Sequence, residues 1–156
     1  MSAVIVSLRV KASPREAFDM FTQEIAAWWR PNGLFQITPG GDGVLRFEGE
    51  ERLITTLPNG KAFEIGCVTS WLPGERLAFT WRQASFSPEQ QTHVEVRFEP
   101  VGDETRVTVE HRGWDAIPQG HAARHGFPLA ATQMRLAEHW RALLGALAAT
   151  LVDERR

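Results

Sequence analysis

The histidines, the single cysteine and a few arginines are the side chains with the most to offer chemically. His111 ends the alternating stretch Val107-Thr108-Val109-Glu110-His111 on the same side as the valines. A neutral imidazole there can exchange one hydrogen bond with a ligand or act as a base near neutral pH. The ordinary alternative is a structural histidine bonded to a neighbouring backbone. Arg52 has the same duality: it anchors a ligand carboxylate if it points inward and is a solvated edge charge, the preferred reading, if a bulge turns it out. His121 and His125 stand four apart, the spacing of two metal ligands on one helical face. Gly120 and Gly126-Phe127-Pro128 interrupt a helix there, and no glutamate completes a zinc-hydrolase pattern, so no metal is expected. His93, on the side of Glu95, and His139, beside Glu138, are expected at the surface. Cys67, among Phe63, Ile65, Thr69 and Trp71, is expected to be buried, with a raised thiol pKa and poor nucleophilicity. Gly40-Gly41-Asp42-Gly43 has neither the Lys-Ser/Thr of a P-loop nor dinucleotide spacing and reads as a turn. No triad signature is present, so no catalytic residue is assigned.

Composition narrows the classes further. The 156 residues suit one domain, 1–156, and the 17 basic and 19 acidic side chains are interspersed. No basic stripe exists to neutralise a phosphate backbone, and nucleic acid is not expected as a partner. One cysteine excludes an internal disulfide and a cysteine-based zinc site. The N-terminus lacks a signal-peptide pattern, and the longest apolar-rich stretch, Ala142 to Val152, is short of the ~20 residues a membrane span needs. A cytoplasmic protein without membrane insertion is the expectation. Tyrosine is absent, whereas there are six tryptophans and nine phenylalanines. That leaves an interior walled by rings without hydroxyls, which favours binding over acid-base work.

The elements that must position these residues follow from periodicity. Val4, Val6, Leu8 and Val10 alternate with Ile5, Ser7, Arg9 and Lys11, which predicts a strand with one buried face. Ser13-Pro14-Arg15-Glu16 supplies an N-cap serine, a first-turn proline and a capping-box glutamate. Phe18, Phe21, Ile25 and Trp28 continue at helical spacing until Pro31-Asn32-Gly33. From Leu34 to Trp114 strands alternate with the turn signals Pro39 to Gly43, Asn59-Gly60, Pro73-Gly74 and Gly102-Asp103, an antiparallel meander. A two-residue turn at Gly102-Asp103 pairs Glu99 with Arg106, Phe98 with Val107, Val96 with Val109 and Val94 with His111, and turns Glu95, Arg97, Glu110 and Arg112 outward. At Asn59-Gly60 it pairs Ile54 with Ile65 and Thr56 with Phe63, and sets Arg52 beside Cys67 unless a bulge near Gly66 resets the register. A three-residue loop at Pro73-Gly74 puts Leu77, Phe79 and Trp81 on the side of Cys67, Thr69 and Trp71. Leu136, Trp140, Leu143, Leu144, Leu147 and Leu151 predict a long last helix with one apolar face.

These pieces together resemble the SRPBCC (START-like, birch-pollen-allergen-like) superfamily, in the branch of the C-terminal domain of the heat-shock protein 90 ATPase activator. The resemblance rests on Ser13-Pro14 with Ala17-Phe18, on Trp28-Trp29-Arg30-Pro31, on Gly40-Gly41 with Leu45-Arg46-Phe47, on Gly66, and on the run Pro73 to Trp81. Thr105 to Val109, His111-Gly113-Trp114 and the leucine-rich last helix complete it. It implies an α+β helix-grip fold: a curved antiparallel sheet around a long C-terminal helix, with two short helices after strand one. Members bind lipids, polyketides, hormones or other apolar molecules, and a few are cyclases or hydrolases; fold does not decide among these. The activator itself has an additional N-terminal domain that makes much of the chaperone contact. This chain begins directly at strand one, so a chaperone partner is not expected, while a homodimer stays open.

A helix lying across a curved sheet leaves a hollow, and such hollows hold ligands when they reach roughly 300–1,000 Å³. Trp28, Trp29, Phe35, Phe47, Trp71 and Phe79 are expected to wall it, together with Trp81, Trp114, Phe127, Met134 and Trp140. His111, and Arg52 if inward, would supply its polar contacts. For any one of these rings plain core packing is the ordinary alternative. The expected function is non-enzymatic binding of a small, largely apolar molecule, with no cofactor. A cyclase- or hydrolase-type enzyme using His111 and a co-chaperone-like interaction module are the alternatives.

Overall fold

A computed structural model describes residues 3–29, 44–82, 86–87, 89–118, 120–121, 124 and 126–154. Its strands are β1 (Ala3–Val10), β2 (Val44–Glu48), β3 (Arg52–Thr56), β4 (Ala62–Leu72), β5 (Arg76–Trp81), β6 (Thr92–Val101) and β7 (Glu104–Arg112). Two short helices, α1 (Pro14–Gln23) and α2 (Ile25–Trp28), follow β1, and α3 (Leu129–Glu154) is the last element. All strand pairs are antiparallel in the order β1-β7-β6-β5-β4-β3-β2, a meander to which β1 adds beside β7. This curved sheet around a long terminal helix is the helix-grip architecture.

Local chemistry explains the elements. Ser13 caps α1 by accepting from the Glu16 amide at 3.1 Å, while Glu16 accepts from the Ser13 amide at 3.0 Å, so two otherwise orphaned donors are satisfied. The β6-β7 hairpin has the expected register throughout, with Phe98 opposite Val107 and Val94 opposite His111. Its inward row, Val94, Val96, Phe98, Val107 and Val109, is at most 3% exposed. Each such side chain stabilises the fold by about 1.5–3 kcal/mol through removal from water. On the opposite face Glu95 bridges Arg76 and Arg97, both at 2.8 Å, and Glu110 bridges Arg112 at 3.1 Å. These half-exposed pairs add little each, about 0–1 kcal/mol, so the apolar row dominates.

Two bulges correct the expected register in the middle of the sheet. Arg52 does oppose Cys67, and Leu53 opposes Gly66, but Ile65 is then inserted and Ile54 opposes Glu64, Thr55 Phe63 and Thr56 Ala62. The pairings Ile54–Ile65 and Thr56–Phe63 are therefore wrong by one residue. The loop after β3 is wider than a two-residue turn: the Leu57 amide donates to Lys61 at 2.8 Å and the Gly60 amide to Leu57 at 2.9 Å. In β4-β5 the loop does span three residues, with Leu72 opposite Arg76 and Trp71 opposite Leu77, but Thr69 is an extra residue and Val68 opposes Phe79. The slip turns Cys67 to the exposed face, against the expectation of burial.

Gly66 sits between the two bulges, and a Cβ there would lie 1.7 Å from the Thr80 carbonyl oxygen. The backbones approach so closely that only glycine fits. The next amide, Cys67, turns outward and donates to Thr80 Oγ1 at 2.8 Å.

Candidate functional site

His111 is the centre of the buried polar chemistry. It sits at the end of β7 between Val94 of β6 and Val4 of β1 and is 2% exposed. Trp140, on the sheet-facing side of α3, places Nε1 3.1 Å from His111 Nδ1. On the other side of the ring, Nε2 is 2.7 Å from Thr92 Oγ1 and 3.2 Å from Trp114 Nε1. Thr92 Oγ1 in turn donates to the Trp81 carbonyl at 3.2 Å. Gly113, at φ 102°, makes the sharp exit from β7 that a single 3₁₀ turn, Trp114–Ala116, continues.

Donor and acceptor rules limit the state of this imidazole. An indole nitrogen only donates, and indole nitrogens face both ring nitrogens, so the ring is neutral and accepts from one of them, Trp140 at Nδ1 or Trp114 at Nε2. With Nδ1 accepting from Trp140, the shorter of the two, Nε2–H donates to Thr92 Oγ1, whose hydroxyl hydrogen goes to the Trp81 carbonyl, and the Trp114 approach to Nε2 is then a contact rather than a bond. Burial, with the charges of His139 and His93 adding to it, pushes the His111 pKa down to about 3. Both nitrogens are thus engaged by the protein, and the bonds run to side chains rather than to the backbone. Such a ring holds β6, β7 and α3 together and is not presented to a substrate as a base.

Around this centre the aromatic side chains divide. Trp29, half-buried at the end of α2, stacks on Trp81 at 5.4 Å between centroids and 28° between planes. Its edges meet Trp140 at 5.7 Å and 89°, and His139 at 6.0 Å and 86°. Leu136 and Trp114 complete the enclosure. The space left between these seven residues is about 10 Å³, room for about one water molecule. The expected ligand-sized hollow is not open at this place: the rings that were to wall it fill it instead.

The other expected lining residues go elsewhere. Phe47 packs on Trp71 at 5.8 Å and on Phe79 at 5.6 Å, and Trp71 meets Phe18 of α1 at 5.3 Å, a second group of rings that reaches Trp29, among the described residues, only through Phe98, Phe21 and Trp28. Trp28 is fully buried against Phe21 and donates to the Met20 carbonyl at 3.0 Å, which makes it core. Phe127 is half-buried with the Arg135 guanidinium 6.0 Å over its ring. Met134 is 62% exposed, so it does not belong to the lining: its turn of α3 faces away from Leu136 and Trp140. Arg52 lies on the outer face, bonded to Glu48 and to Glu64 at 3.4 Å, and both carboxylates raise its pKa, Glu48 most. The bulge at Ile65 is the reason it is outward. Cys67 donates to Glu64 Oε1 at 3.4 Å, and that bond leads the causes that raise its pKa. Phe35 and His125 lie outside the described residues.

Sequence reasoning misplaced His139. It is 6% exposed, and burial pushes its pKa down to about 4. The signal was in the spacing: position 139 is three after Leu136 and four before Leu143, inside the apolar stripe, and the neighbouring Glu138 masked it. His93 is exposed as expected, and His121 meets Phe86 at 5.4 Å. No group of three potential metal ligands occurs among the described residues, and no helix there is long and apolar enough to cross a membrane.

Residues 11–151 match the family described as activator of Hsp90 ATPase homolog 1-like protein. The chain belongs to that family. Solved structures share the fold at low identity. The Aha1 dimer from Colwellia psychrerythraea is 18% identical with a TM-score of 0.64, over 97% of this chain and 96% of that one. The Hsp90 activator PFC0360w from Plasmodium falciparum is 15% identical with a TM-score of 0.65, over 97% and 96%. DynU16, a putative protein in the dynemicin biosynthetic locus, is 19% identical with a TM-score of 0.60, over 97% of this chain and 47% of that one. Against curated proteins the sequence has no match.

Proposed function

We propose that this Aha1-like protein binds a small, largely apolar molecule between its curved sheet and α3, without chemistry. The observation that carries this reading is the aromatic enclosure around Trp29 and Trp81, which has neutral walls and a partly exposed rim. Stacked and edge-on rings offer dispersion and quadrupole contacts to an apolar guest. Among the described residues the enclosure has no charged side chain in its lining, which favours a neutral guest over a phosphate or carboxylate. With about 10 Å³ free, the guest must open the site on entry, and the affinity of the closed protein is reduced by the fraction of time it is open. Reaction chemistry at His111 is disfavoured, since both of its ring nitrogens are already bonded. The test is calorimetric titration of the folded protein with lipids, polyketides and neutral aromatics. Saturable binding to one class supports the reading, and absence of heat across all three classes rejects it.

A second reading is action on a chaperone ATPase, favoured by the family's description and by the Plasmodium structure described as an Hsp90 activator. Its test is the ATPase rate of a purified Hsp90 with and without this chain. An unchanged rate at saturating chain removes it.

A further inference from the structure

We propose that the ends of β3, β4 and β5 hold a second binding site, in which Arg82 and Thr55 take the carboxylate of a small acid with an apolar body. Among the described residues, the buried side-chain polar atoms without a hydrogen bond are Thr55 Oγ1 and Arg82 Nε. Both stand beside one ring. Thr55 lies opposite Phe63 in the β3-β4 pair, so these two side chains share a face, and the Arg82 guanidinium is 5.4 Å over the centre of the Phe63 ring. None of the three lines the Trp29 enclosure, so this site goes beyond that reading and does not depend on it.

Buried polar atoms in folded proteins are bonded almost without exception, and an orphan calls for a physical reason. Thr55 is 0% exposed, with Leu45 opposite it and Leu53 two residues earlier on the same face. Valine would pack there as well and bring no unmet hydroxyl. The other described arginines that are buried or partly buried all have polar partners: Arg52 and Arg97 pair with carboxylates, and Arg124 donates to the carbonyls of Ile117 and Phe127. The charged end of Arg82 has only the ring.

The donor set selects the ligand. Stacking on Phe63 uses the face of the guanidinium and leaves the N–H groups, which lie in its plane, for an acceptor. A carboxylate takes two parallel bonds from the Nε and Nη edge of such a fork, and the Thr55 hydroxyl donates another. One cation matches one negative charge, whereas a phosphate dianion would keep a charge unpaired in a partly buried place. Leu45, Leu53 and Phe63 suit a hydrocarbon body, and the partly exposed Phe63 and Arg82 give it a way in from the surface.

Wild type, Thr55→Val, Arg82→Met and Arg82→Lys, each checked for folding by circular dichroism, are titrated by calorimetry with octanoate, 1-octanol and octyl phosphate at about pH 8, where the phosphate is a dianion. The expected result is saturable octanoate binding to wild type, weakened about tenfold or more by Thr55→Val and by either change at Arg82, since an ammonium lacks the fork. Octanol affinity stays the same in all four proteins, and octyl phosphate binds wild type more weakly than octanoate. Thr55→Val melts at the wild-type temperature or above, because a hydroxyl without a partner adds nothing to the fold, and a lowered melting temperature would make Thr55 structural and overturn the proposal. Equal octanoate affinity in all four proteins, the result if octanoate went to the Trp29 enclosure, overturns it and leaves that enclosure's reading in place. No octanoate binding, an octanol affinity that falls with that of octanoate, or tighter binding of octyl phosphate overturns it too. If the Arg82 variants do not fold, the Nε–H resonance of Arg82 in ¹⁵N-arginine-labelled wild type decides: it must shift at saturating octanoate, and an unmoved resonance overturns the site.

Discussion

Trp140 aims its indole N–H at Nδ1 of His111, 3.1 Å away, and so joins the middle of α3 to the end of β7 by a bond that only a neutral imidazole can accept. The ring's other nitrogen reaches Thr92 on β6, so one side chain ties two strands and a helix.

Trp140→Phe keeps an aromatic ring, though a smaller one, and removes the donor. It leaves Nδ1 buried without its bond, which costs about 1–3 kcal/mol in unfolding free energy. Urea denaturation of the two proteins measures this. Equal midpoints and slopes would mean that the bond contributes nothing.

Acid should destabilise the protein well above the range where carboxylates titrate. In the unfolded chain His111 and His139 protonate near 6.5, but in the folded protein only near about 3 and about 4. Unfolding therefore takes up protons as pH falls. Their contribution is complete above pH 6.5 and declines by about 1.4 kcal/mol per pH unit for each histidine, until His139 and then His111 titrate in the fold. Between pH 8 and pH 5 the loss is roughly 4 kcal/mol for the pair. His139→Gln should halve that slope. A wild-type stability that stays level over the interval contradicts the buried, neutral state of both rings.

Gly66→Ala drives a methyl group into the Thr80 carbonyl, at a separation no packing can tolerate, and neither partner is a flexible side chain. The expected cost is about 3 kcal/mol or more, or failure to fold. Thermal melting checks it. A melting temperature close to wild type would mean that the β4-β5 register differs from the one described.

How much of this was legible in the residues depends on where the information sits. The capping box of Ser13 and Glu16, the β6-β7 register and the apolar stripe of α3 are local patterns, each written in a few adjacent positions, and the structure has all three. The bulges at Ile65 and Thr69 are not local. They arise because strongly curved strands must shed register, and which residue is extruded depends on packing across three strands. That is why Cys67 was assigned to the wrong face and Arg52 left open. The aromatic side chains were legible as a group, but whether six tryptophans enclose a space or fill it depends on side-chain angles that spacing does not encode. His139 was readable from its helical position and was hidden by a charged neighbour.

The central claim is that an apolar molecule enters beside Trp29 and Trp81, under α3. The most direct measurement follows the six indole N–H resonances of ¹⁵N-tryptophan-labelled protein during titration with the ligand class that gives heat in calorimetry. The largest shifts are expected at Trp29, Trp81, Trp114 and Trp140, with Trp71, several rings away, moved least. Shifts confined to Trp71, or none at saturating ligand, would contradict it.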